Sequence, residues 1–392
     1  MPLISEPTTV FAFLIGTLAV LYWLNTLPAL RSFFKILPPV IWAYFLPMIA
    51  STMGVIPSDS PTYSWIAKYL LPFSLFLLMM TTDLPSVVKL GRIAIIMMLA
   101  GTLGIVVGGP IAYAIMSGFL PPEAWKDLAT LSGSWIGGTA NMVAIQQSVG
   151  LQDLGPIIVV DTVVGYGWMG VLLFFGAFQE RFDRWNLADR SILDGVLDRV
   201  NLAGTSTKSI TLPSLSFILG LGFVATVISI RIGGVLPAVG NPSVISQTTW
   251  AVLVVVTVGI VLSFSPLQKL EEYGASKIGY LALYLLLTSI GARADVSAIA
   301  EAPQLMVAGA IWLTIHVAIL LAAARIFRAP LFFVATGSMA NIGGAASAPV
   351  VAGAYIPSMA PVGLLMGVAG YVLGIYAALF CAWILGQLSL IL

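Results

Sequence analysis

Charge is what this sequence lacks most. Of its 392 residues only 17 are Lys or Arg and 16 are Asp or Glu, 8% together. Soluble domains carry roughly 25%. With 59% hydrophobic residues and a mean hydropathy of +1.03, no water-soluble fold of this length hides so much apolar surface, so the composition reads as a polytopic membrane protein. There is one cysteine, Cys381, which excludes an internal disulfide framework and a thiolate metal cluster. There is one histidine, His316, which excludes most histidine-based metal chemistry. A net charge of +1 points to no nucleic-acid partner. No lysine or arginine precedes the first apolar run, which begins after Glu6. That is the wrong start for a cleaved signal peptide, so 8–25 is expected to be a retained span.

What is present is a repeat. The stretch 131–150, LSGSWIGGTANMVAIQQSVG, returns about two hundred residues later as 335–354, ATGSMANIGGAASAPVVAGA. Gly137-Gly138 align with Gly343-Gly344 at an offset of 206. At an offset of 205, Pro156 falls on Pro361 and Gly165-Tyr166 on Gly370-Tyr371. A glycine pair, a proline and Gly-Tyr in register read as a duplication with an interrupted membrane helix in each copy. Apolar runs of about 20 residues place spans at 8–25, 36–55, 63–82, 90–117 and 156–179 in the first half. The second half repeats them at 213–230, 247–265, 277–293, 303–325 and 360–390. The interrupted elements are 125–150 and 329–355. A polar linker, 180–212, joins the halves and carries the apolar spacing of a short surface helix (Ile192, Val196, Leu197, Val200). Ser60-Pro61 and Ser265-Pro266 precede the third span of each half, and Asp83 and Asp295 follow it.

If the interrupted elements cross the membrane, the halves have six spans each and run parallel. If they are re-entrant hairpins, the halves have five spans each and are inverted. Lys and Arg prefer short cytoplasmic loops. With the N-terminus outside, the inverted arrangement puts 13 of the 17 on the cytoplasmic side, leaving Lys68, Lys126, Arg231 and Arg293. The parallel arrangement does no better than 11 against 6. The expected fold is therefore all-α and polytopic: two inverted repeats of five spans, 1–179 and 213–392, each with an interrupted helix. Both termini are expected outside a cell inner (plasma) membrane.

Non-helical backbone at membrane depth is tolerated only when buried in protein or lining a wet cavity. Arms of about ten residues reach roughly 15 Å at 1.5 Å per residue, the middle of a bilayer. Inverted halves bring the two tips together there, where secondary transporters bind their solutes. Helix N-termini at the breaks favour an anionic group. The expected substrate-binding set is Ser134, Gly137, Gly138, Thr139, Asn141 and Gln146 from the first half, with Ser338, Asn341, Gly343, Gly344 and Ser347 from the second. Gln147, Tyr166 and Tyr371 are weighed beside them. A single small-residue stretch is more often tight helix packing; two at matched positions favour a site. Asp161 is the strongest charge inside a span, amid Ile157, Ile158, Val159, Val160 and Val163. It is expected to couple an ion, as a Na⁺ ligand or a proton carrier, with Asn141 and Asn341 as neutral ion contacts. The bland alternative is a carboxylate reaching headgroup water. His316 reads more readily as a satisfied polar residue than as a proton relay. Trp23, Trp42, Trp65, Trp125 and Trp168 fit interfacial anchors.

The motifs GSWIGGTANMVAIQQ and GSMANIGGAASAPVVA, with the DTVVGYGWMG span, resemble the YjcL-like membrane family, a domain of unknown function, over nearly the whole chain. More distantly the chain looks like bacterial glutamate:sodium symporters, 2-hydroxycarboxylate transporters and bile-acid:sodium symporters. The resemblance implies a homodimer in which a core carries solute past a scaffold like an elevator. Mapped here, 8–55 and 213–265 would be scaffold, and 63–179 and 277–390 core. The function expected is symport of a small polar or anionic solute, such as an amino acid, small peptide or carboxylate, with Na⁺ or H⁺ as coupling ion and no other cofactor. The alternative is a sodium/proton antiporter without organic substrate, although only Asp161 is available where such proteins usually place two ionisable groups. No GxxxxGK phosphate loop, HExxH motif or pair of facing acids supports ATP hydrolysis or an intramembrane enzyme.

Overall fold

The computed structural model describes residues 2–36, 39–88, 90–190, 192–193, 208–240, 245–294 and 302–392. Asp295 and most of the expected surface helix at 192–200 lie outside them, as does the side chain of Tyr166.

The first half forms α1 (Pro7–Thr26), α2 (Arg31–Ile36), α3 (Pro39–Thr52), α4 (Pro61–Met80), α5 (Leu84–Val88), α6 (Arg92–Met116), α7 (Ala124–Val149), α8 (Gly155–Phe175) and α9 (Gln179–Asn186). The second forms α10 (Leu212–Val235), α11 (Gln247–Ser263), α12 (Ala275–Arg293), α13 (Ala302–Phe327), α14 (Leu331–Ile342), α15 (Gly344–Tyr355) and α16 (Ala360–Leu388). The described residues form no strand beyond one isolated bridge between Val239 and Ile245.

Local chemistry sets the helix starts. Glu6 caps α1: it accepts from Thr8 N at 3.0 Å, Thr9 N at 2.7 Å and Thr9 Oγ1 at 2.7 Å. The Thr9 hydroxyl and the Thr8 amide hold its carboxyl down to about 2. Ser60 caps α4 ahead of Pro61, and Thr211 and Ser246 close capping boxes on α10 and α11. Ser265, the counterpart of Ser60, caps the 3₁₀ turn Pro266–Tyr273, and α12 starts only after Gly274.

Among the described residues eight helical stretches are long and apolar enough to cross a membrane, against the ten spans expected. The shortfall is the second helix of each half. The first, α3, has 14 residues and contains Pro47; the second, α11, has 17 and meets the following 3₁₀ turn at 95°.

The interrupted elements turn back. At Gly138 φ is 72° and ψ −173°, which ends the first arm of α7. In a straight helix, residues eight apart are separated by about 12 Å. A Cβ built on Gly133 lies 2.8 Å from the Asn141 carbonyl oxygen and 3.0 Å from Ile145 Cγ1. The second arm therefore folds along the first. The second break falls at Gly343 and Gly344, the latter with φ 59°. There α14 and α15 pack on each other. A Cβ on Gly343 lies 2.6 Å from Ser347 Cβ, where an unbroken helix leaves about 5–6 Å between such positions.

The helices pack in two groups. In one, α4 lies against α10, α11 and α12, and α12 against α1 and α3. In the other, α6 packs on α13, α7 on α16, and α15 on α16. The groups meet where α11 and α4 touch α7. The expected division at residues 63 and 277 assigns α4 and α12 to the hairpins; their packing assigns them to the opposite bundle. Both are buried around most of their circumference, so they read as uniformly apolar and show no face that names a neighbour.

The hairpin-bearing bundle is held by glycines. Along α6, Gly104 sits against the His316 backbone and Gly108 against Trp312, whose indole donates to the Ile105 carbonyl at 2.9 Å. A Cβ on Gly104 meets His316 Cα at 2.9 Å, and that atom is backbone. Gly104→Ala is expected to destabilise by about 1–3 kcal/mol through overpacking, read as a lower melting temperature in detergent. Gly118→Ala, at a position open on all sides, is expected to melt like the parent.

Candidate functional site

The two breaks meet across one tyrosine. A Cβ on Gly138 lies 3.3 Å from Tyr371 Cε1, and one on Gly344 lies 3.7 Å from the same atom. Beside it, a Cβ on Gly370 meets the Ile136 carbonyl oxygen at 2.5 Å and that of Ala340 at 3.4 Å. The Gly-Tyr pair of α16 thus sits between both hairpin tips, and only glycine fits at 370.

Next to this contact is a cavity of about 470 Å³. Its hairpin side is made of Ser134, Gly138, Thr139, Ala140 and Met142 from α7, the tip around Gly343 to Ser347, and Ile158, Asp161, Thr162 and Gly165 from α8. Its far wall comes from the other bundle: Ile41 of α3, Leu78 and Met79 of α4, and Tyr280, Tyr284 and Leu287 of α12. The cavity therefore lies on the boundary between bundles.

Asp161 is half-buried here and held by both oxygens. Oδ2 accepts from Ser134 Oγ at 2.8 Å and Oδ1 from the Trp135 indole N–H at 3.0 Å. Trp135 is braced by Trp312 of α13, with ring centroids 5.0 Å apart. An indole N–H only donates, so this clamp suits a carboxylate that accepts. Tyr280 donates to the Tyr371 hydroxyl at 3.3 Å and stacks on Tyr284 at 5.9 Å between centroids.

Of the sequence-predicted set, Ser134, Gly138, Thr139, Gly343, Gly344, Ser347 and Asp161 line this cavity. Gly137 lies behind it, packed on Asn141 and α16. Four others are placed elsewhere. Asn141 donates to the carbonyls of Gly137 at 3.1 Å and Tyr371 at 3.2 Å, stapling the first tip to α16. Asn341 accepts from Thr102 Oγ1 at 2.8 Å and donates to Met98 at 3.1 Å and Gly337 at 2.9 Å, pinning α14 to α6. Gln146 donates to the Leu151 carbonyl and accepts from Gln147, closing the loop after α7. Ser338 bonds His316 Nε2 at 2.9 Å and accepts from Trp168 Nε1 at 2.8 Å, while His316 Nδ1 meets the Gly101 carbonyl at 3.0 Å. Trp168 is thus a packing partner of the second hairpin, and His316 a satisfied buried histidine. Below the second hairpin, α9 of the linker holds its start: Asp183 accepts from Leu331 N at 2.8 Å, and Asn186 donates to Ala324 and Ala329.

The polar cavity residues the sequence reading missed are Thr162, Tyr280 and Tyr284. The two tyrosines are one helical turn apart in an apolar span, a spacing that puts two phenols on one face. Among the described residues no group of three or more His, Cys, Asp or Glu side chains is arranged to hold a metal ion.

Helical throughout its described elements, with eight apolar helices of spanning length, the chain is a multi-pass membrane protein in a lipid bilayer. It belongs to the family described as "Protein of unknown function (DUF819)", whose model matches residues 12–388. It is similar to the uncharacterized membrane protein YjcL of Bacillus subtilis (strain 168), at 26% identity over 349 residues, 85% of this chain and 86% of that protein.

The placements separate in a labelling experiment, because the lone cysteine, Cys381, is buried. In a Cys381→Ser background, Thr139→Cys and Thr162→Cys are expected to react with a small water-soluble thiosulfonate. Asn341→Cys and Ser338→Cys are expected to stay unlabelled until the protein is denatured.

Proposed function

We propose that this protein is a secondary active transporter. It carries a small polar solute with Na⁺ or H⁺ by moving the hairpin-bearing bundle against the other. The observation that carries the reading is the cavity itself. It lies where two broken helices meet, it is walled by both bundles, and a clamped carboxylate faces it. Its size suits a small molecule. Each half lays down its elements in the same order, with the break in the fifth main helix: α1, α3, α4, α6, α7 and α8, then α10, α11, α12, α13, the α14–α15 pair and α16. That order, the backward fold of the arms and the positive-charge count support inverted repeats with re-entrant hairpins and outside termini. The scaffold of this proposal is α1, α3, α4 and α10 to α12, and its core is α6 to α8 and α13 to α16. The family resemblance adds a homodimer and a plasma-membrane location. No catalysis and no cofactor beyond the coupling ion are proposed.

Asp161 is the coupling group of this reading, with the Ser134 hydroxyl bonded to it. Exchange of Na⁺ for H⁺ on Asp161 alone is the second reading, and one clamped carboxylate fits it. A cavity of about 470 Å³ is far larger than a bare ion needs, which favours a solute.

The test is thermal stability of the purified protein against Na⁺, K⁺ and pH, with amino acids, dipeptides and carboxylates. Ligand at a hundredfold excess over Kd stabilises by about 2.7 kcal/mol. Na⁺ is expected to stabilise, to sharpen the response to one solute class, and to lose both effects in Asp161→Asn. A Na⁺ and pH response with no solute response moves the antiporter reading ahead, and no response at all ends both.

A further inference from the structure

The charges facing the cavity narrow the solute, on the premise that it is a transport site. Among the described residues Asp161 is the only carboxylate in its lining, and those residues include no Lys, Arg or His. A bare carboxylate solute would therefore meet a like charge and no cationic side chain. Positive character comes only from backbone. The second arm of α7 starts at Thr139 and Ala140, and α15 starts at Gly344, Ala345 and Ala346; all five residues line the cavity. The first N–H groups of a helix have no acceptor one turn back and carry the positive end of its dipole; of these, the Ala345 N–H already meets the Tyr371 hydroxyl.

A second observation marks the same end. Ser347 is 8% exposed and lines the cavity, yet its hydroxyl has no hydrogen-bond partner among the described residues. The cavity-lining hydroxyls of Thr139 and Thr162 are likewise unpaired among the described residues. These hydroxyls are open to the cavity, so a ligand there can bond them without displacing a protein partner. Elsewhere in the lining, each Asp161 oxygen takes one protein donor and keeps a lone pair free. The rings of Tyr280 and Tyr284 on the far wall offer faces that attract an ammonium group.

We infer that the solute is a zwitterion, an amino acid or short peptide. Its ammonium group pairs with Asp161, and its carboxylate sits at the two helix starts with Ser347. The lining then separates charge: one acidic side chain for the cation, two helix ends and a hydroxyl for the anion. An uncharged or purely anionic solute of the same size leaves Asp161 without its partner.

The test uses the full chain, purified in detergent with Na⁺ present. The standard amino acids and a set of dipeptides are screened by isothermal titration. Each binder is then measured as its N-acetyl derivative, its des-amino acid and its C-terminal amide. In the parent protein each change is expected to weaken binding roughly tenfold or more, because it leaves a buried charged or polar group unpaired. In Asp161→Asn, whose Na⁺ response is already expected to be lost, the residual binding shows no gap between free and N-acetyl forms. In Ser347→Ala the gap between free acid and amide narrows, and the ammonium preference stays. Should Asp161→Asn fail to fold, the analogue series on the parent protein decides alone. N-acetyl or des-amino forms that bind as well as the parent compounds overturn the inference and leave the transport reading standing. No binding by any compound, with no stabilisation by Na⁺ or shift with pH, overturns both.

Discussion

Everything in this structure follows from breaking helices where water is scarce. A broken helix exposes N–H and C=O groups that the bilayer interior leaves unpaired, so the break survives only inside protein or beside a polar cavity. Here both remedies operate. Gly138 and Gly344 adopt positive φ, which only glycine takes without strain. The bare backbone of Gly370 lets α16 approach the carbonyls of Ile136 and Ala340, and Asn141 donates to carbonyls on both sides of that junction. The helix starts at Thr139 and Gly344 and the Ser347 hydroxyl open onto the cavity. The same requirement that makes the breaks expensive makes them available to a ligand.

The hairpin-bearing bundle is held differently within than at its boundary. Inside the hairpin-bearing bundle, glycines bring backbones into contact, and buried polar pins lock the register: Asn341 to Thr102 and Met98, His316 to Gly101 and Ser338. Between bundles the ties are fewer and made by tyrosines. The Tyr44 hydroxyl of α3 donates to Asp153 at 2.7 Å and accepts from the Leu154 N–H ahead of α8, and Tyr280 of α12 reaches Tyr371 of α16. Hydroxyl ties at a boundary exchange partners at less cost than interlocked backbones separate. A body that is rigid within and loosely tied at its edge is suited to moving as a unit with its cavity.

Much of this was legible in the sequence, and the limits have physical causes. Both breaks fall where the glycine pairs predict, and eight of the ten expected spans have helices of crossing length. Asp161 faces the cavity because a lone carboxylate in an apolar span has few other places to go. Asn141, Asn341, Gln146 and Ser338 show why polarity alone does not assign a ligand role. In an apolar medium a buried amide or hydroxyl finds a backbone carbonyl as readily as it finds a solute, and the residue string does not say which face it occupies. The tyrosines at 280 and 284 escaped notice for the converse reason: an aromatic in a membrane helix reads as packing unless its partner across the bundle is known. The membership of α4 and α12 was illegible because a helix buried around most of its circumference carries little directional pattern.

The central claim is that the hairpin-bearing bundle moves against the other as one body. The most direct test is the distance between spin labels on lipid-facing sites, Val224 on α10 and Val307 on α13, with Leu103 on α6 and Val307 as the pair within one bundle. In proteoliposomes the account predicts at least two distances for the first pair, whose populations shift with Na⁺ and solute, and one unchanging distance for the second. A single α10–α13 distance in every condition, while the same vesicles accumulate solute, would contradict it.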